Sequence, residues 1–105
     1  MKIVNRRLEL HQMLCALLGR KDRVYYQPPT NVSLVYPCVV YSLDRIRTEF
    51  GNNMHYYNSH QYTVTYITKK ADDLFYEKLA AVPQLTMEQK FVSDNLYHYV
   101  FKTNY

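Results

Sequence analysis

The sequence predicts an α+β domain: a mostly antiparallel or mixed β-sheet with one long hairpin, and two helices packed on one face. Three observations carry that expectation. Residues 37–68 hold two arms rich in Val, Thr and Tyr around a polar tip, the composition of paired strands. Leucine and methionine recur at helical spacing near the N-terminus, and a shorter stretch of the same kind follows the arms. Near the C-terminus, Tyr97, Tyr99 and Phe101 alternate with Leu96, His98 and Val100, the period of a strand.

A chain of 105 residues suits one domain spanning 1–105, and 48% hydrophobic residues supply a core. The first helix is expected over 6–18, with Asn5 as its N-cap. Leu10, Met13, Leu14, Leu17 and Leu18 form one stripe, Glu9, Gln12 and Ala16 lie off it, and Gly19 provides the stop. Arg20 and Lys21 then complement the negative end of the helix dipole. Val24-Tyr25-Tyr26 has the character of a short strand, broken by Pro28 and Pro29, which lack amide donors.

The long hairpin is expected over 37–68, with Pro37 at the start of its first strand. On the returning arm, Tyr62, Val64 and Tyr66 fall on one face, and Thr63, Thr65 and Ile67 on the other. Gly51, Asn52 and Asn53 between the arms tolerate positive φ. A second helix is expected over 73–82, capped by Asp72 or Asp73, with Leu74, Phe75, Leu79 and Val82 near one face and Pro83 ending it. A C-terminal hairpin over 85–103 turns at Ser93-Asp94-Asn95. Its last strand has apolar groups on both faces, which suits a central position.

Composition narrows the chemistry. Two glycines in the whole chain leave no phosphate-cradling loop. His11, His55, His60 and His98 lack metal-ligand spacing, although the strands that carry His60 and His98 give those two a chance to meet across the sheet. Cys15 and Cys38 form no C-x-x-C pair, and Cys38 falls inside a buried strand where thiols are inert. The Asp72-Asp73 pair has a sufficient role at a helix start. No catalytic, cofactor-binding or metal-binding residue is therefore assigned, and the chain is not expected to be an enzyme.

The net charge of +4 is spread over Arg6-Arg7, Arg20-Lys21, Arg45 with Arg47, and Lys69-Lys70, a solvated surface more than a nucleic-acid patch. The N-terminus has no secretory pattern and no apolar run approaches a membrane span, so a soluble cytoplasmic product is expected. Twelve tyrosines without a tryptophan suit half-buried faces and interfaces. In the hairpin, Arg45, Arg47 and Glu49 alternate with Ile46, Thr48 and Phe50. That pattern fits either a solvated strand face or a protruding arm that meets a neighbouring subunit or a polyanion.

Several phrases together resemble a family. V-Y-Y-Q-P-P at 24–29, Y-P-C-V-V-Y-S-L-D at 36–44, Y-T-V-T-Y-I-T at 62–68 and F-V-S-D-N-L-Y-H-Y-V-F at 91–101 look like the small tail terminator, or head-to-tail joining, proteins of long-tailed bacteriophages. The resemblance runs from Val24 to Tyr105, with the N-terminal helix similar only in character. It implies an α/β subunit without active site or cofactor that assembles into a ring, expected to be a hexamer, at the virion's head–tail junction.

The implied partners are further copies of the chain, the tail tube protein and a head-completion or connector protein, with DNA passing through the lumen unread and no membrane. The expected place of synthesis is the bacterial cytoplasm. The expected contact residues are Arg45, Arg47, Glu49, the tip Gly51, Asn52, Asn53 and Met54, and the flanking Tyr56 and Tyr57. Two alternatives stay open: another neck adaptor or head-completion protein, and a small nucleic-acid-binding module that stacks bases on tyrosines.

Overall fold

A computed structural model describes the backbone of residues 7–50 and 56–104, and the side chains of these except 47–50 and 56–59. The element order is α1 (Arg7–Leu18), β1 (Val24–Tyr26), β2 (Cys38–Phe50), β3 (Tyr56–Thr68), α2 (Phe75–Ala80), β4 (Leu85–Ser93) and β5 (Leu96–Asn104). The strands make one mixed five-stranded sheet in the order β1-β2-β3-β5-β4, so the fold is α+β as expected. Only β1 and β2 run parallel; the other neighbours are antiparallel.

Period-two patterning decides what lies inside. Val39 and Tyr41 of β2, Tyr62, Val64 and Tyr66 of β3, and Tyr99 and Phe101 of β5 point to the same side. There they pack with Leu10 and Leu14 of α1 and Leu79 of α2. Both helices thus rest on one sheet face. Tyr41, Tyr66 and Phe101 are among the largest fully buried side chains, so much of the tyrosine surplus is core. The stripe anticipated for the first helix is the one that docks, with Leu10 and Leu14 fully buried and Met13, Leu17 and Leu18 packed around them. Gly19 closes α1 at φ 77°, its N–H donating to the Cys15 carbonyl at 2.8 Å. Asn5, the anticipated cap, lies outside the described residues.

Three local features differ from the sequence expectation. The second helix spans only Phe75–Ala80, and its N-cap is Leu74, with no side-chain cap bond, not Asp72 or Asp73; Asp73 sits one residue earlier, its carboxylate accepting the Phe75 N–H at 2.9 Å. Leu74, expected near its apolar face, is 59% exposed. His60 and His98 do not meet: His60 stacks toward Tyr62 on the helix side, while His98 lies against Phe91 on the opposite face, ring centroids 4.5 Å apart. The turn between β4 and β5 falls on Asp94 and Asn95, both at positive φ, the conformation of a two-residue hairpin turn.

Candidate assembly interface

The β2–β3 hairpin outgrows the sheet that carries it. These strands pair from Cys38↔Ile67 to Phe50↔Tyr56, whereas β1 flanks β2 only from Val39 to Tyr41, and β5 flanks β3 only from Thr68 back to Gln61. Beyond those points the two strands continue as a ribbon, and among the described residues no third strand flanks it. The molecule is correspondingly elongated, 51 × 24 × 23 Å. A two-stranded ribbon alone is marginal in water, so this arm gains stability wherever another surface covers it.

The root of the arm is built by a bulge at Asp44. Leu43 pairs with Tyr62 but Arg45 pairs with Gln61, so one extra residue is inserted between them. The insertion reverses the facing of every later residue on β2. Without it Arg45 would follow Leu43 onto the helix side; with it Arg45 shares the open face with Gln61, and Ile46, 52% exposed, shares the helix side with His60. The Asp44 carboxylate accepts from Lys102 Nζ of β5 at 2.7 Å, a contact that spans β3 and ties the root to the sheet. The Lys102 hydrogen bond holds the Asp44 carboxyl below its ordinary value. On the other flank, the Gln27 side-chain oxygen accepts the Leu43 N–H at 3.1 Å, so a side chain prolongs the ladder after β1 has ended.

Of the contact residues anticipated from sequence, Arg45 is exposed at this root. The backbones of Arg47 and Glu49 lie on β2 opposite Ser59 and Tyr57, and Tyr56 pairs with Phe50. The tip residues Gly51, Asn52, Asn53 and Met54 lie outside the described residues. Sequence reasoning did not anticipate the Asp44 bulge or its Lys102 tether, whose partners are 58 positions apart.

Other chemistry-bearing groups have structural roles. Asp73 accepts the Tyr66 hydroxyl at 2.5 Å and the Thr68 hydroxyl at 2.9 Å besides the Phe75 N–H. Burial opposes its ionisation, but the bonds from Tyr66, the Phe75 amide and Thr68 outweigh that and keep its carboxyl below the usual range. At the other end of the helical layer, His11 Nδ1 lies 2.6 Å from the Tyr41 hydroxyl, which accepts from Arg7 at 3.3 Å. The Tyr41 hydroxyl thus accepts from Arg7 and shares a hydrogen bond with His11 Nδ1 whose direction follows the imidazole tautomer. Burial and the neighbouring Arg7 lower the His11 pKa.

Both thiols are unpaired, and burial pushes Cys38 up to about 11, far from a reactive thiolate. A groove of about 540 Å³ runs along the outer side of α1 past His11, Cys15, Arg20 and Lys21. Among the described residues no group of three or more His, Cys, Asp or Glu side chains is placed to hold a metal ion, and no helix is long and apolar enough to cross a membrane. The chain matches no protein-family model and no curated protein.

Proposed function

We propose that this chain is a structural subunit of a bacteriophage virion at the head–tail interface: the tail terminator that caps the tail tube as a ring, expected to be hexameric, and joins it to the head connector. The projecting β2–β3 arm is the observation that carries the assembly part of this reading, since among the described residues its strands run on past those that flank them. The head–tail location rests on the sequence resemblance. In this reading the sheet and helices hold the fold, and the arm, with Arg45, Arg47, Glu49 and the tip, contacts neighbouring copies and the tail tube or connector. DNA passes through the lumen without being read.

The base-stacking alternative draws less support from the fold. Tyr41, Tyr62, Tyr66 and Tyr99 are buried under the helices, out of reach of a nucleic acid, which leaves Tyr25, Tyr26, Tyr36, Tyr76 and Tyr97, all half-buried, among the tyrosines whose side chains are described. The test is the solution mass of the purified chain across concentration and salt by light scattering, followed by addition to purified tails and heads. An assembly several times the 12.6 kDa monomer that restores joining is the expected result. Alanine at both Arg45 and Arg47 is expected to weaken it. A strict monomer that binds oligonucleotides in a salt-sensitive way would replace this reading with the nucleic-acid one.

A further inference from the structure

The free strand edges of the sheet differ in how they are defended against pairing. β1 is three residues long and runs into Pro28 and Pro29. β4 carries a bulge between Met87 and Gln89, and turns Lys90 inward over the Tyr99 ring at 5.7 Å. The distal part of β2 starts at the Asp44 bulge and has Arg45, Arg47 and Glu49 in its sequence, charges that oppose pairing with a like edge and leave it open to an uncharged one. The distal part of β3 has none of these devices. Tyr56–His60 reads Y-Y-N-S-H, without a charged residue, a proline or a shift of register, and β5 stops beside Gln61.

We propose that Tyr56–His60 is a strand acceptor, and that its occupant is the distal β2 segment, residues 45–50, of a second copy of this chain. This rests on the assembly reading above and names its joint. The two free edges lie on opposite sides of the same ribbon and at the same height, since β1 stops at Tyr41 and β5 at Gln61, to either side of the Leu43↔Tyr62 pair. Rotating one copy about an axis parallel to the arm therefore sets its β2 beside the first copy's β3 in antiparallel register, without sliding along the arm.

Charge selects the same partner. Pairing two β2 edges about a two-fold axis centred on Arg47 brings that residue opposite its own copy, whereas the β3 edge offers no charge to oppose. A contact between different edges closes into a ring when it is repeated by a rotation that divides a full turn. With strands about 4.8 Å apart the ribbon is about 10 Å wide, against 24 Å for the second-longest dimension of the molecule. Paired arms must then converge while the bodies splay, and the bend that this needs falls at the Asp44 bulge.

The test combines amide hydrogen exchange with two lysine variants of the full chain. On assembly, exchange is expected to slow in both 45–50 and 56–60 and to stay unchanged in 85–93. Ser59→Lys puts a charge on the acceptor edge and is expected to raise the concentration for half-assembly by at least about tenfold. Gln89→Lys on β4 is expected to leave it unchanged, and thermal unfolding checks that both variants fold. An assembly that protects 85–93 instead, or that ignores Ser59→Lys, overturns the arm pairing and leaves the assembly reading standing. A chain that stays monomeric at every concentration and does not assemble on added tails overturns both.

Discussion

Replacing Asp73 by asparagine tests whether one carboxylate holds α2 to the sheet. In the native chain Oδ2 takes the Tyr66 and Thr68 hydroxyls, and Oδ1 takes the Phe75 amide. Asparagine keeps one oxygen and turns the other position into a donor, so either the Phe75 amide or the hydroxyl pair loses its acceptor. Hydrogen bonds to a charged group contribute about 1.5–3 kcal/mol each, and a buried hydroxyl left unpaired costs a further share. A net loss of about 2–3 kcal/mol is expected for Asp73→Asn, and about 1.5 kcal/mol for Tyr66→Phe. Because both variants break the same bond, the double variant should fall short of the sum by about 1 kcal/mol.

Urea unfolding of the four proteins at neutral pH measures this cycle. A coupling energy below about 0.5 kcal/mol would refute the clasp, since independent sites add within that margin. The pH dependence supplies a second reading. The folded-state pKa of Asp73 is depressed, so its contribution is present above the unfolded value and is lost as pH falls through the folded one. The gap between native chain and Asp73→Asn should therefore narrow below about pH 4.

Three further outcomes follow from the core. The Thr103 hydroxyl is buried with no hydrogen-bond partner among the described residues, so Thr103→Val, close in shape, should gain about 1 kcal/mol and raise the unfolding midpoint by about 4–8 °C in calorimetry. Leu14 is fully buried where α1 meets the sheet, and Leu14→Ala should cost about 2–5 kcal/mol by urea titration. His11 has a lowered pKa because burial, and then Arg7, disfavour its charged form. Its contribution is present above the unfolded value of about 6.5 and is lost as pH falls below it. The native chain should therefore lose stability from pH 7 toward pH 5 by a slope that His11→Gln flattens, measured by thermal unfolding at each pH.

What the sequence made legible was whatever a local period encodes. The α1 stripe and the parity of Tyr62, Val64 and Tyr66 each follow from spacing that a few neighbouring residues contain. The arm's length was legible for the same reason, because two strand-like runs of thirteen residues need no tertiary information to be counted. Its root was not. The Asp44 bulge is set by pairing with β3 and by Lys102 on β5, partners that adjoin Asp44 only once the sheet has formed, and D-R-I-R reads the same with or without it. Yet that single inserted residue decides which face Arg45 presents, and so whether the arm offers its charge to the helix side or to the open side. A reading of the charged alternation taken from the sequence alone keeps the contrast between residues and loses its direction. Deleting Asp44 is accordingly the sharpest perturbation of the arm. It should leave the core of β2 up to Leu43 in place, return Arg45 to the helix side, and abolish assembly, as scattering mass and thermal unfolding measured together will report. Assembly that survives the deletion would show that the facing of the arm does not matter to its contacts.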